Sequence, residues 1–350
     1  MTACSLNNNG FNRKRRKPMG GLRSVRVRVL TLALVLAMAV AAPALAGEAK
    51  LKIADANKVG SLTNQMNAYF TKVVNEAKDS GLQVMHIKGV QLGNAPQVME
   101  QVVAGSVDMF GNELAWVAPY DKDLAILNWG FTFRDADHMQ KFFESDLFKA
   151  MTERIRTAHG VRVLYAAPAQ PRLIFSTKPI NNIDDVKGLK IRVPQIRAWI
   201  DLWSAFGSSP TPLSFGEVYM GMKTNLIQAG GGPPSAAYAN KYHQVAKYII
   251  DCGHLMSTLM VVINEKKFQS LTPEQQKLVT EKGIEAVKEG RKIAEKETAE
   301  MIAKMKAEGC QYSQLKDKSP FQAKAAAAGA KMEEDGLWSK GLFKQIQEIK

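Results

Sequence analysis

Histidine and cysteine are scarce in this chain, which has five histidines and three cysteines among 350 residues. The histidines are scattered and never occur as H-x-x-x-H or beside a cysteine at metal-ligand spacing. The sequence also lacks a G-x-S-x-G elbow and both glycine-rich phosphate loops, G-x-x-x-x-G-K-[ST] and G-x-G-x-x-G. No motif in the sequence indicates a metal site, a nucleotide cofactor or a nucleophilic triad. We therefore predict that the protein is not an enzyme and uses no cofactor.

Acidic residues are absent from the first 46 positions, where eight Lys or Arg precede an uncharged run from Val29 to Ala46. A basic start, an apolar run and a small-residue end, here Ala44-Leu45-Ala46, are typical of a secretory signal peptide. A retained membrane anchor is the alternative, because the run is close to the minimum that spans a bilayer. The small residues at its end favour cleavage. We predict a signal peptide at 1–46 and a mature chain in the periplasm.

Most of the excess positive charge belongs to that leader. Removing its eight Lys or Arg and no Asp or Glu lowers the formal net charge from +14 to +6. The rest of the chain has no long basic run with interleaved aromatics, so we expect no nucleic-acid partner. A mild excess of cations suits an anionic ligand. Of the cysteines that remain, Cys252 and Cys310 either form a disulfide or stay as buried thiols, and the sequence leaves both open.

After the leader, short β-rich runs alternate with helical patterns. Apolar spacing predicts strands at 51–54, 83–87 and 107–110, with helices at 62–80 and 96–104 between them. Repeated βαβ units predict an α/β fold with mixed, mostly parallel sheets flanked by helices, and ligands at the carboxyl ends of the strands. Further along, we predict strands at 161–166 and 172–176 around a proline-containing crossing loop at 167–171, and a strand at 226–228 followed by a loop at 229–234.

A long helix is predicted near the C-terminus. Thr272 and Gln275 have the spacing of a capping box, Pro273 occupies the first helical position, and the pattern runs to Gly309. Such a helix is about 54 Å long at 1.5 Å per residue, which exceeds the flank of one small domain. We expect it to span two lobes. The predicted first lobe is 47–169 plus 258–297, and the second is 170–257 plus 298–350.

Several short motifs give the sequence a specific resemblance. They are Gln91-Leu92-Gly93, Gly105-Ser106-Val107-Asp108, the run D-D-V-K-G-L-K-I-R-V-P at 184–194, Ser209-Pro210-Thr211-Pro212, and F-G-E-V-Y at 215–219. In this order and spacing the chain resembles the DctP-type extracytoplasmic receptors of TRAP (tripartite ATP-independent periplasmic) transporters, over essentially the whole length after the leader. A receptor for an ABC importer or for a sensor kinase is the alternative, and a periplasmic enzyme is a more distant one.

The resemblance implies a two-lobed, periplasmic-binding-protein-like fold that closes around a small carboxylate. It also implies delivery of that organic acid to the small and large membrane subunits of a TRAP transporter. We expect the receptor to act as a monomer. Arg192 stands where the family has its selectivity arginine, and a guanidinium fork holds a carboxylate by two charge-assisted hydrogen bonds. A surface ion pair with Asp184 or Asp185 is the alternative for this side chain. Arg172 matches a second arginine of the family.

Other site positions carry over from the resemblance one by one. Glu113 stands where some relatives direct a carboxylate toward ligand hydroxyls, although an ordinary solvated glutamate is equally expected. Gln195 matches an amide donor and Phe215 an apolar wall, which could equally be core. Trp116 is expected to shape the cavity. Trp199 and Trp203 share a helix face, which favours core packing over ligand contact.

The glycine-rich segment at 228–234 departs from the family pattern. Relatives carry an asparagine that grips the carboxylate where this chain has Gly232. Backbone N–H groups or water would then replace that amide. Consecutive glycines also allow positive φ and a close approach of the backbone to the ligand. We include Gly232 among the expected ligand-binding residues.

Overall fold

Eleven strands form two sheets in residues 48–350, which are the residues that the computed structural model describes. The predicted leader at 1–46 lies outside the described residues. Several strands begin or end at the apolar runs that the sequence shows. The strands are β1 Ala49–Ala54, β2 Leu82–Ile87, β3 Met109–Asn112, β4 Val161–Pro171, β5 Leu173–Ser176, β6 Lys190–Val193, β7 Ser209–Pro212, β8 Ala229–Gly232, β9 Tyr248–Asp251, β10 Met256–Asn264 and β11 Gln311–Gln314.

Twelve α-helices flank these sheets within 48–350, joined by short 3-10 turns. Their ends follow ordinary capping rules: Ser61 and Asn94 cap helices with their side chains, and Gly105 ends one in the left-handed conformation. The helices are α1 Leu62–Asn75, α2 Ala95–Ala104, α3 Ala136–Glu144, α4 Asp146–His159, α5 Arg197–Ala205, α6 Val218–Lys223, α7 Pro234–Ala239, α8 Tyr242–Val245, α9 Glu265–Gln269, α10 Pro273–Ala307, α11 Ser319–Glu334 and α12 Leu342–Gln347.

The two sheets have the orders β2-β1-β3-β10-β4 and β11-β9-β5-β8-β6-β7. In the first sheet β1 pairs in parallel with β2 and β3, and β10 is antiparallel to β3 and β4. In the second, β6 is parallel to both its neighbours and β5 is antiparallel to both of its own. The predicted α/β class, with mixed sheets flanked by helices, is confirmed.

The long C-terminal helix is present as α10, which has 35 residues. The Thr272 side chain accepts from the Gln275 backbone N–H, and the Gln275 side chain accepts from the Thr272 N–H, which completes the predicted capping box. The helix packs against α1, β4 and β10 of the first sheet and against α7 and β11 of the second. It therefore contacts both sheets, as predicted.

Three local predictions are wrong. The predicted strand at 226–228 is irregular, and the strand begins only at Ala229. The predicted loop at 167–171 is part of β4. Proline cannot donate a backbone hydrogen bond, but β4 is an edge strand that pairs only with β10, so the sheet tolerates Pro168 and Pro171 there. The predicted loop at 229–234 contains strand β8, in which Gly230 and Gly232 pack closely against neighbouring side chains. A Cβ at Gly230 would lie 3.1 Å from Val218, and none of the three glycines has positive φ.

The sequence left open whether the two cysteines after the leader form a disulfide. Cys252 and Cys310 are both free and buried. The Sγ atom of Cys252 lies 2.9 Å from Nδ1 of His254. Burial raises the pKa of Cys252 to about 12 and lowers the pKa of His254 to about 3, so this contact is one between neutral groups. Among residues 48–350 no helix is both long enough and apolar enough to span a membrane.

Candidate functional site

A cavity of about 60 Å³ lies where the two sheets meet. Strands and helices of both sheets contribute to it, because the carboxyl ends of β1, β3 and β6 all lead into its wall. It continues outward into a wider cleft of about 540 Å³, and the two spaces share Asn57, Trp116, Arg192, Pro194 and Phe215. The inner cavity is lined mainly by apolar and aromatic side chains, with a few polar groups between them. These polar groups are Asn57, Ser61, Thr63, Asn112, Glu113, Arg172, Arg192, Ser257 and Thr258.

Arg192, on β6, is buried with 4% of its surface exposed. Its Nε donates to the backbone oxygen of Leu213 at 2.8 Å, and its guanidinium lies 5.4 Å from the centre of the Phe215 ring. Among residues 48–350 it forms no ion pair with a carboxylate. Asp184, the alternative partner, pairs with Lys187 on the surface instead. Burial lowers the pKa of Arg192 to about 10.

Arg172 lies between β4 and β5 and is equally buried, but it has a carboxylate partner. Its Nη1 donates to both oxygens of Glu113, at 3.0 and 2.8 Å, and its Nη2 donates to the Gly231 backbone oxygen at 3.3 Å. The guanidinium also lies over the ring of Trp199, 4.6 Å from its centre. The charge of Arg172 is therefore compensated by Glu113 before any ligand enters.

The apolar wall is held by two contacts that the sequence did not suggest. Trp199 lines the cavity and its Nε1 donates to Asn128 Oδ1 at 2.9 Å, so it is both core and wall. Phe215 lines the cavity while the Tyr242 hydroxyl donates to its backbone oxygen at 2.7 Å. Burial strongly raises the pKa of Tyr242, which keeps the hydroxyl neutral. No motif surrounds Tyr242 in the sequence, so its role was not predictable.

The other predicted residues lie at different depths. Trp116 lines both the inner cavity and the outer cleft, whereas Gln195 lines only the cleft. Gly232 is behind Phe215: a Cβ there would come within 3.3 Å of that ring. The structure thus brings Arg192, Arg172, Glu113, Phe215 and Trp116 together in the cavity and places Gln195 and Gly232 at its margins.

Two asparagines complete the site and were missed. Asn57 donates to Thr63 Oγ1 at 3.0 Å, and Asn112 accepts from the Glu113 backbone N–H at 2.8 Å. The Nδ2 of Asn112 is buried with no hydrogen-bond partner among the described residues. A polar residue directly after β1, and another immediately before Glu113, were the available signals. Among residues 48–350 no cluster of His, Cys, Asp or Glu has the geometry to hold a metal ion.

A model of a known protein family matches residues 53–335 of this chain. The family is DctP, described as "Bacterial extracellular solute-binding protein, family 7". This chain belongs to the DctP family. The membership predicted from the sequence motifs is confirmed. The fold is therefore that of a solute-binding protein, and the cavity is the candidate solute-binding site.

Characterised relatives of this DctP-family protein include two periplasmic receptors. The chain is 30% identical over 259 residues to the 2,3-diketo-L-gulonate-binding periplasmic protein YiaO of Escherichia coli, covering 72% of this chain and 77% of the relative. It is 26% identical over 277 residues to the sialic acid-binding periplasmic protein SiaP of Vibrio cholerae, covering 78% and 84%.

Solved structures agree with this family fold. The chain resembles a TRAP periplasmic solute binding protein from Pseudomonas putida F1 with bound D-glucuronate, with a TM-score of 0.80, 28% identity, and coverage of 86% of this chain and 97% of that one. It also resembles one from Citrobacter koseri with bound D-glucuronate, with a TM-score of 0.78, 26% identity, and coverage of 86% and 99%.

Proposed function

We propose that this protein captures a small monocarboxylate at Arg192 and delivers it to the membrane subunits of a TRAP transporter. The observation that carries the proposal is the buried guanidinium of Arg192, which faces the cavity with its Nε bonded to Leu213 and with no ion-paired carboxylate in the described chain. Burying an unpaired charge is unfavourable, so an incoming carboxylate supplies the missing counter-charge and two oriented hydrogen bonds.

The charges of the site support one carboxylate per ligand. Two arginines and one glutamate face the cavity, and the Arg172–Glu113 pair is already neutral. One further negative charge balances Arg192, whereas a dianion would leave a second carboxylate without a partner in a largely apolar space. The ligands named for relatives and structural neighbours include sialic acid, 2,3-diketo-L-gulonate and D-glucuronate, each an acid with one carboxylate.

Other polar groups that line the cavity suit the rest of such a molecule. Glu113 offers acceptor oxygens, and the partnerless Nδ2 of Asn112 offers a donor. Hydroxyl or oxo groups on the acid would satisfy both, while Phe215 and Trp199 cover its apolar face. The widening of the cavity toward Gln195 gives room for a longer ligand body.

The remaining features of the proposal concern transport. The leader at 1–46 directs export to the periplasm and is removed, and the mature chain acts as a monomer without catalytic activity. The two lobes, 47–169 plus 258–297 and 170–257 plus 298–350, close around the acid by a hinge motion. The closed form is the one recognised by the small and large membrane subunits.

A thermal-shift screen followed by calorimetry tests this function. The mature chain is screened against hexuronates, 2-oxo acids, dicarboxylates and the neutral sugar D-glucose, and each acid that stabilises it is titrated. We expect one-to-one binding of a monocarboxylate and no shift with D-glucose. Stabilisation only by neutral sugars or by cations would refute the proposal. Genes for a small and a large membrane subunit beside this one distinguish a TRAP receptor from a receptor for an ABC importer or a sensor kinase.

A further inference from the structure

Glu297 connects the two sides of the molecule behind the cavity. It is half-buried on α10, where its Oε1 accepts from Nε2 of Gln65 at 2.9 Å and its Oε2 accepts from Oγ of Ser235 at 2.7 Å. Gln65 lies in the first turns of α1, which packs on the first sheet, and Ser235 lies in α7, which follows β8 of the second sheet. A single carboxylate therefore bonds to helices that belong to different sheets.

Both of these helices begin in the wall of the ligand cavity. Ser61, Leu62 and Thr63 at the start of α1 line it, as do Pro233 and Ala236 at the start of α7. A change in the distance between the two helix starts would therefore change the shape of the cavity. Glu297 does not line the cavity itself.

The same network reaches the segment that crosses between the sheets. The Oγ of Ser235 accepts from Nε2 of Gln170 at 2.8 Å, and its backbone N–H donates to Oε1 of Gln170 at 3.2 Å. Gln170 is completely buried in β4, two residues before Arg172, and its backbone exchanges hydrogen bonds with the Ser257 hydroxyl at 3.0 and 2.8 Å. Ser257 in turn lines the cavity.

Glu297 differs from its neighbours on α10 in the partners that it has. Glu289 and Glu295 form ordinary ion pairs one turn away on the helix surface, with Lys292 and Arg291. Within 48–350 Glu297 forms no ion pair, and the two side chains that donate hydrogen bonds to it are neutral groups from α1 and α7. A charged acceptor strengthens hydrogen bonds to neutral donors, so this carboxylate favours the arrangement that keeps both donors within reach.

We propose that Glu297 is a positioning residue for ligand binding, which holds the first turns of α1 and α7 in the arrangement that encloses the acid. The inference rests on the proposed function of the cavity. If the walls separate, Glu297 loses one or both partners to water, so the residue biases the equilibrium toward the binding-competent arrangement. Apparent affinity scales with the population of that arrangement, even though Glu297 never touches the ligand.

The test compares Glu297→Gln with Glu300→Gln, the same change one turn along on an exposed part of the same helix. Glu297→Gln keeps one acceptor oxygen for Nε2 of Gln65, while its NH₂ group can only donate to Oγ of Ser235, so both charge-assisted bonds are replaced by weaker neutral ones. Backbone hydrogen exchange of the ligand-free proteins is measured first. We expect exchange to accelerate about tenfold at 61–65 and 234–237 in Glu297→Gln, with the rest of the chain unchanged, and no acceleration in Glu300→Gln.

Calorimetry with D-glucuronate and with any acid found in the screen is the second arm. We expect Glu297→Gln to weaken binding about three- to thirtyfold while its melting temperature stays close to that of Glu300→Gln. Exchange and affinity equal to those of Glu300→Gln would overturn the inference and leave the proposed function intact. If no acid binds the wild type, the proposed function fails, and the exchange arm still decides whether Glu297 holds the two helices together.

A double-mutant cycle separates this role from a purely structural one. Gln65→Met and Ser235→Ala remove the two donors, and the bridge between them is Glu297. We expect their effects on exchange at 61–65 and 234–237 to be non-additive in the wild-type background and additive when Glu297→Ala is present. Additive effects in both backgrounds would contradict the proposal.

Discussion

Arg172 and Arg192 lie in the same cavity and are buried to nearly the same extent, yet only Arg172 has a carboxylate partner. Arg172 has the Glu113 carboxylate at 2.8 Å, a backbone oxygen and a tryptophan face. Arg192 has one backbone oxygen and a more distant phenylalanine ring. The first arginine is part of the scaffold of the site, whereas the charge of the second remains available to a ligand.

Because of this difference, we expect substitution of the two arginines to have different effects. A buried ion pair is costly to break because the remaining partner loses its counter-charge, whereas removing an unpaired buried charge relieves an existing penalty. Substitutions at Arg172 should therefore affect folding first, and substitutions at Arg192 should affect binding first. The resemblance to known receptors suggested that both arginines contact the ligand. The structure distinguishes them, because only Arg172 is paired with a carboxylate.

The largest expected effect is on binding by Arg192→Ala. The ligand carboxylate would then be buried without a counter-charge, so affinity should fall more than a hundredfold. Arg192→Lys keeps the charge but loses the planar fork, and about ten- to a hundredfold should be lost. Calorimetry on variants of verified fold measures both. The free energy of unfolding of ligand-free Arg192→Ala should stay within about 1 kcal/mol of wild type. Wild-type affinity in Arg192→Lys would contradict the assignment.

Arg172→Met should show the opposite pattern. It leaves the partly buried Glu113 unpaired, so the free energy of unfolding should fall by about 2–4 kcal/mol, as measured by denaturant titration. Adding Glu113→Gln removes the orphaned charge and should recover most of that loss. If the double variant is as unstable as the single one, the instability comes from lost packing on Trp199 and not from the unpaired carboxylate.

The charge balance itself is tested by Glu113→Gln alone. Arg172 then has no carboxylate partner and the cavity gains one positive charge. We expect the ratio of affinities for a dicarboxylate over a monocarboxylate to rise about tenfold, because the second carboxylate now has a free guanidinium. Competition calorimetry with succinate and the identified acid gives this ratio. An unchanged ratio would show that Glu113 does not set the charge preference.

Alkaline pH should weaken binding through Arg192, whose pKa burial lowers to about 10. The guanidinium is charged below that pH, so affinity should be flat from pH 7 to 9 and fall toward tenfold per pH unit above 10. Its contribution to stability has the opposite sign. Between about pH 10 and the ordinary arginine pKa the unfolded state holds more protons, so this group's contribution to the unfolding free energy rises with pH. Constant affinity to pH 11, with the fold verified by circular dichroism, would contradict the lowered pKa.

The smallest effect is expected from Tyr242→Phe, which removes the hydrogen bond to the Phe215 backbone oxygen and leaves that acceptor unsatisfied. The ring of Phe215 is then less firmly held beside Arg192, and affinity should fall about three- to tenfold, corresponding to about 1 kcal/mol. Calorimetry measures the loss. A change in Tm with no change in affinity would make Tyr242 a residue of the second-sheet core alone.

Much of this molecule was predictable from local patterns. The capping box at Thr272, the left-handed Gly105 and the apolar spacing of α1 depend on neighbours in sequence, and the motifs around Arg192 identified the family. The strand at Ala229–Gly232 was not predictable in this way, because Gly230 and Gly232 are explained by the side chains of Val218 and Phe215, which approach from elsewhere in the chain. The same holds for the Arg172–Glu113 pair, whose members are 59 residues apart.

A crystal structure with the identified acid bound tests the two-arginine account most directly. It predicts both carboxylate oxygens within hydrogen-bond distance of Nη1 and Nη2 of Arg192, with the Arg172–Glu113 pair intact and the ligand hydroxyl or oxo groups facing Glu113 and Asn112. A carboxylate bound at Arg172, with Glu113 displaced and Arg192 bonded only to Leu213, would contradict it.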